Sequence, residues 1–173
     1  MDSTNEIVTT RVIGAPREEV FRAFADPERL ARWWGPRGFT NEFPEFDLRP
    51  GGEWRLVMRG PDGSEYRMTK RFVDVVPGER VVLRHEQEGH GFRMEMAYAD
   101  DPGGTRLTWR MTFDALEESV RRVVVEANEE NLDRLQELLA SHGDPEARSQ
   151  GASGRLSSVR QADGSGPLSG PAT

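Results

Sequence analysis

The sequence predicts an α+β domain in which one face of an antiparallel sheet is covered by a long C-terminal helix. Three observations support this fold class. A strand and two short helices precede a run of strands and a final helix, short turn signals separate those strands, and large apolar side chains keep one parity along them. Strands joined by short turns must be antiparallel, and a sheet of this kind buries one face.

The N-terminal elements come first. Residues 5–13 are rich in β-forming side chains and predict a strand. Residues 16–24 follow with a helical apolar stripe, and Pro16 suits a first helical turn. A second short helix is predicted over residues 26–34, because Asp26 can cap it and the next residue is proline.

Turn signals then predict about six strands. The signals are "RPGG" at 49–52, "GPDG" at 60–63, "PGE" at 77–79, "EGHG" at 88–91 and "DDPGG" at 100–104.

Residues 115 to about 140 predict one long amphipathic helix. Its apolar residues are Leu116, Val120, Val123, Val124, Ala127, Leu135, Leu138 and Leu139. This helix is the only predicted element large enough to cover the sheet.

Parity along the strands defines an inner face that is rich in methionine and aromatic residues. The residues assigned to this face are Trp54, Leu56, Met58, Tyr66, Met68, Val81, Leu83, His85, Phe92, Met94, Met96, Tyr98, Leu107, Trp109, Met111 and Phe113. One interpretation is a solid core, in which methionine fills irregular gaps. The other is a cavity for an apolar ligand.

Two polar residues share the inner face. His85 has the parity of its apolar neighbours, and Asn128 lies beside Ala127 on the buried side of the helix. A buried polar group needs a partner, so both are candidates to hold the polar end of a ligand. Alternatively, His85 lies near a strand end and is solvated.

Composition limits the function classes. The chain has 173 residues, a net charge of -7 and no cysteine, which excludes disulfides, thiol catalysis and cysteine-ligated zinc. An acidic domain argues against nucleic-acid binding. No apolar run reaches the roughly 18 residues of a membrane span, and no secretory signal is evident, so we expect a cytoplasmic protein. We predict a domain over 1–140 and a disordered Gly/Ser/Pro-rich tail over 141–173.

Three stretches resemble a known family. "APREEVFRAFADPERLARWWGP", "FDLRPGGEWRLVMRGPDGSEY" and "FVDVVPGERVVL" are similar to the Hsp90-ATPase-activator-homologue-like family of the START/polyketide-cyclase, Bet v 1-like superfamily, over about residues 7 to 140. The resemblance implies a helix-grip fold, a curved sheet around the C-terminal helix over a hydrophobic cavity. It leaves Trp33 and Trp34 either closing the cavity mouth or attaching the short helix to the sheet. Relatives often carry Gly-Trp where this chain has Ala127-Asn128, which implies a larger and more polar pocket.

We therefore predict binding of a small hydrophobic or amphipathic molecule between sheet and helix. The candidate ligand-binding residues are Trp33, Trp54, Met58, Tyr66, Met68, His85, Met94, Met96, Trp109 and Asn128. No catalytic residue, metal ligand or cofactor is predicted, and the chain is expected to be a monomer or weak homodimer.

Two alternatives stay open. A cyclase- or aromatase-like enzyme would need an acid or base, and the inner face offers only His85, Tyr66 and Tyr98. An Hsp90-type co-chaperone ranks third, because the eukaryotic activators have a separate N-terminal domain and few residues precede the first strand here.

Overall fold

The computed structural model describes residues 5–143, with side chains up to Ser141, and confirms the predicted helix-grip fold. The elements are β1 (Glu6–Ile13), α1 (Arg17–Ala25), α2 (Pro27–Trp33), β2 (Thr40–Phe46), β3 (Glu53–Arg59), β4 (Glu65–Val76), β5 (Arg80–His85), β6 (Phe92–Asp101), β7 (Gly104–Phe113) and α3 (Glu118–Gly143). The six strands predicted after the short helices are all present.

The seven strands form one antiparallel sheet in the order β1-β7-β6-β5-β4-β3-β2. The register shifts between Phe72 and Asp74 on β4, and between Glu42 and Glu45 on β2. Such irregularities bend a strand and increase its twist. They contribute to the curvature that lets the sheet wrap around other elements.

The two short helices begin and end as their sequence predicts. The Asp26 carboxylate accepts a hydrogen bond from the main-chain N–H of Glu28 at 3.0 Å, which caps α2. Trp33, near the end of α2, donates its indole N–H to the carbonyl of Ala23 in α1 at 2.9 Å. Because Trp33 is only 1% exposed, it joins the two helices inside the core and does not close a cavity mouth.

An aromatic cluster fills the centre of the domain. It contains all four tryptophans of the chain. The ring centroid of Trp34 lies 5.0 Å from that of Trp54, 5.6 Å from that of Trp109 and 5.6 Å from that of Trp33. These rings are buried together with Phe24 and Phe72. The middle of the inner face is therefore a packed core.

Polar contacts hold the middle of α3 against the rest of the domain. The guanidinium of Arg134 donates to main-chain carbonyls at distances of 2.8–3.4 Å. The accepting residues are Arg32, Trp34, Gly35, Pro36 and Phe39. On β1, Arg11 pairs with Glu129 and Asp133. The hydrogen bonds from Arg134 satisfy carbonyls at the end of α2 that the helix itself leaves unpaired.

The buried side of α3 differs from the prediction in its first turns. Leu132, Leu135 and Leu139 are buried, whereas Val120 is 41% and Val123 is 66% exposed. The apolar stripe predicted along the whole helix is thus wrong for Val120 and Val123, whereas Val124 packs against the core. Val120 instead lies beside an opening in the inner face.

The chain divides into two units, Met1–Leu139 and Ala140–Thr173. The first contains the whole sheet and nearly all of α3. Of the second, the structure describes only the last residues of that helix. The tail predicted over residues 141–173 lies outside the described residues except for 141–143.

Candidate functional site

A pocket of about 310 Å³ opens between the inner face of the sheet and the start of α3. Its lining combines apolar side chains with a few polar ones. The residues are Met68, His85, Gln87, Gly89, His90, Phe92, Phe113, Ala115, Glu117 and Val120. The β5–β6 loop forms one wall, and the segment that leads into α3 forms the opposite wall.

One cross-strand row of side chains ends at the pocket, where His85, Phe92 and Phe113 belong to the lining. In the sheet register Trp54 pairs with Lys70, Lys70 with His85, His85 with Phe92, and Phe92 with Phe113. Residues directly opposite each other on one face of a sheet are in side-chain contact. The row therefore runs from the aromatic core at Trp54 to the pocket at Phe113.

His85 lies at the pocket and is buried, as predicted from its parity, with only 6% of its surface exposed. Its Nε2 lies 3.1 Å from Oε1 of Gln87, and its ring is 5.0 Å from that of Phe92. Burial lowers the pKa of His85, and the nearby Lys70 lowers it further, against the opposing effects of Gln87 and the main chain of Thr69. A lowered pKa favours the neutral imidazole.

Lys70, which was not predicted as a site residue, pairs with His85 behind the pocket lining and is not part of that lining. It is 4% exposed and its Nζ lies 4.9 Å from the centroid of the Phe92 ring. Within residues 5–141 it has no hydrogen bond or ion pair, and burial lowers its pKa to about 7. Two signals pointed to it. Lys70 is the only lysine among 23 basic residues, and it shares the inner-face parity of Met68 and Phe72.

Seven of the ten predicted site residues fall into two groups. Met68 and His85 line the pocket. The others that are deeply buried belong to the packed core and do not line it. They are Trp33, Trp54, Met94, Met96 and Trp109, each at most 3% exposed.

Three predicted residues remain. Met58 is 9% exposed and belongs to the packed core. Tyr66 is half exposed and lies near Phe39, with 6.1 Å between ring centroids, so the prediction that it is buried on the inner face is wrong. Tyr66 pairs with Met58 where β3 and β4 approach their turn. Asn128 is buried, but its Nδ2 donates to Thr9 Oγ1 at 3.3 Å and lies 3.5 Å from the sulfur of Met111. Its amide faces β1 and β7 and is not part of the pocket lining.

The described residues contain no group of three His, Asp or Glu side chains arranged to hold a metal ion. Tyr98, one of the acid–base candidates, is buried in edge-to-face contact with Phe21 at 5.5 Å, and burial raises its pKa. Of the three acid–base candidates, His85 alone lines the pocket. In residues 5–143, none of the helices has the length and apolarity needed to cross a membrane.

Comparison with protein families gives one match. The model of the family described as Activator of Hsp90 ATPase homolog 1-like protein matches residues 14–140, which is most of the chain. A comparison with curated proteins gives no match.

Solved structures share the fold over most of the chain. A protein of Chromobacterium violaceum is 27% identical with a TM-score of 0.71, and the alignment covers 78% of this chain and 96% of that one. A protein of Rhodobacter sphaeroides is 25% identical with a TM-score of 0.69, covering 80% and 95%. A protein of Nitrosomonas europaea, at 22% identity and a TM-score of 0.72 over 83% and 99%, shows the fold alone.

Proposed function

This chain belongs to the Activator of Hsp90 ATPase homolog 1-like family, and we propose that it binds one small amphipathic molecule in the pocket at the start of α3. The observation that carries the proposal is the pocket itself. It reaches the inner face where Phe92 and Phe113 offer apolar surface and His85 offers a buried polar group. Ligand sites typically combine mostly apolar walls with a few such polar groups.

The size of the pocket limits the ligand. A volume of about 310 Å³ is at the lower end of the roughly 300–1,000 Å³ that is typical of small-molecule sites. Because the aromatic cluster fills the centre of the domain, the ligand lies at one end of the inner face. It does not extend along the length of α3.

Fluorescence titration with N-phenyl-1-naphthylamine, a neutral apolar probe, tests the proposal. We expect saturable binding with one site per chain. Val120→Trp places an indole at the pocket wall and should weaken binding at least about tenfold, since it takes volume that the probe needs. Val123→Trp is the matched control, because Val123 is on the same helix, is 66% exposed and does not line the pocket. No saturable binding, or equal effects of both substitutions, would contradict the proposal.

The cyclase-like alternative makes a different prediction at the same place. A general acid or base contributes about a hundredfold or more to rate, and His85 is the candidate. A reaction that His85→Ala slows by that factor would favour an enzyme over a binding protein. Co-chaperone activity rests on family membership alone, which does not by itself carry function.

A further inference from the structure

The chain has a single lysine, and the fold buries it. The other 22 basic residues are arginines, and many of those on the sheet pair with carboxylates on its solvent face, such as Arg55 with Glu45 and Arg59 with Glu65. Lys70 instead lies on the inner face at 4% exposure. A buried ammonium is costly unless an opposite charge or acceptors compensate it.

The part of the chain that the structure describes provides no counter-charge for the buried ammonium of Lys70. No carboxylate lies within 4.0 Å of its Nζ, and burial alone accounts for its lowered pKa. Glu117, the acidic residue of the pocket lining, therefore does not neutralise it. The Phe92 ring gives a cation–π contact at 4.9 Å, which is a weak substitute for a counter-ion.

One neighbour of Lys70 across the strands also lacks a partner in the described residues. On β3, the indole N–H of Trp54 is buried with no acceptor, whereas on β5 His85 contacts Gln87 and the main chain of Thr69. Buried polar groups in folded proteins are nearly always paired. Trp54 and Lys70, which are adjacent in this row, thus offer polar atoms without a hydrogen-bond partner in the described chain.

These groups lie where the proposed ligand would enter. Met68, two residues from Lys70 on the same face of β4, lines the pocket, as do His85 and Phe92. Lys70 is therefore enclosed on two sides by residues of the pocket lining. A ligand group that reaches past them meets a positive charge in a water-poor setting, where charge pairing is strong.

We infer that the ligand is an anionic amphipath, with an apolar body against Phe92 and Phe113 and a carboxylate or similar head group paired with Lys70. This inference rests on the proposed function, because it assigns the ligand class of the same pocket. His85 and Trp54 are the neighbouring groups able to hydrogen-bond the head group. Neutral molecules of the same shape would fill the apolar part and leave Lys70 unpaired.

Two probes that differ by one sulfonate provide the test. 8-Anilinonaphthalene-1-sulfonate is N-phenyl-1-naphthylamine with an anionic group added, so the ratio of their dissociation constants isolates the charge. We expect the wild-type protein to prefer the anionic probe. Lys70→Met should weaken the anionic probe by about tenfold to a hundredfold, the range of a charge-assisted hydrogen bond, and change the neutral probe less than about twofold. Arg67→Met, on the exposed face of the same strand, should change neither.

A second measurement uses the unaltered protein. Because the pKa of Lys70 is about 7, its protonated fraction falls from about a quarter at pH 7.5 to below about 1% at pH 9.5, so the preference for the anionic probe should fall by at least about tenfold. The other titratable groups at the pocket are His85, His90 and Glu117. Burial lowers the pKa of His85 from its ordinary value of 6.5, so His85 does not change its protonation over this window.

The outcomes separate the two proposals. If neither probe binds, the proposed function fails. If both bind but the ratio does not depend on Lys70 or on pH, the pocket stands and the anionic ligand class is refuted.

Discussion

Replacing Lys70 by methionine should stabilise the protein, and by an amount that depends on pH. Burial lowers the pKa of Lys70 from 10.5 to about 7, and each pH unit of this difference corresponds to about 1.4 kcal/mol. Below pH 7 the ammonium is protonated in both the folded and the unfolded chain. There its burial costs the fold about 5 kcal/mol relative to a neutral amine.

The direction in which stability changes with pH follows from how many protons the folded and unfolded chains bind. Between pH 7 and 10.5 the unfolded chain keeps the proton on Lys70 while the folded protein loses it, so stability rises with pH. From pH 7.5 to 9.5 this rise amounts to about 2.5 kcal/mol. Lys70→Met has no such group, and its apolar side chain fills a similar volume next to Met68. Its advantage over the wild type should therefore shrink by about 2.5 kcal/mol over the same interval.

Urea unfolding at the two pH values, followed by tryptophan fluorescence, measures this difference. All four tryptophans lie in the buried cluster, so their emission reports unfolding of the core. Arg67→Met is the control, because the Arg67 side chain is 73% exposed and the free-energy difference it causes should not vary with pH. An equal advantage of Lys70→Met at pH 7.5 and 9.5 would refute the reasoning, since it would mean that the ammonium reaches water.

Two further substitutions test the packing of α3. Arg134→Lys should lower the free energy of unfolding by about 2–4 kcal/mol, because one ammonium cannot hydrogen-bond all the carbonyls that the guanidinium contacts. Arg122→Lys is the control and should be neutral, since the Arg122 side chain is 80% exposed. Equal thermal unfolding of both variants would contradict the role of Arg134 in holding α3. Asn128→Trp should overpack the contact with Thr9 and Met111, lower the free energy of unfolding by about 1–3 kcal/mol and leave probe binding unchanged. Weakened binding at unchanged stability would instead show that the pocket extends to Asn128.

The fold could be predicted because its signals are local and periodic. Turn residues mark the strand ends, and alternation along β6 and β7 places Met94, Met96 and Trp109 on the buried face. The helix caps at Asp26 and Pro27 are equally local. Errors occurred where burial depends on distant elements. Tyr66 has the correct parity, but among residues 5–143 no element covers the sheet near the β3–β4 turn closely enough to bury it.

The pocket could be predicted only in part. Parity identified Met68 and His85, yet it also assigned Trp54 and Trp109 to a cavity that their own rings fill. Periodicity states which face a side chain occupies and not how much space remains there. The remaining space depends on how Trp33 and Trp34 enter from α2, which is a tertiary contact that no single strand encodes.

A lysine at position 70 has a physical property that an arginine there would lack. Arginine keeps its charge in nearly any setting, whereas a lysine amine can lose its proton when it is buried. With a pKa of about 7, Lys70 is partly neutral when no anion is bound and becomes charged when it pairs with one. Lys70→Arg should therefore be less stable than the wild type and should keep its preference for 8-anilinonaphthalene-1-sulfonate at pH 9.5, where the wild type loses it. A parallel fall of that preference in both proteins would show that a group other than Lys70 titrates.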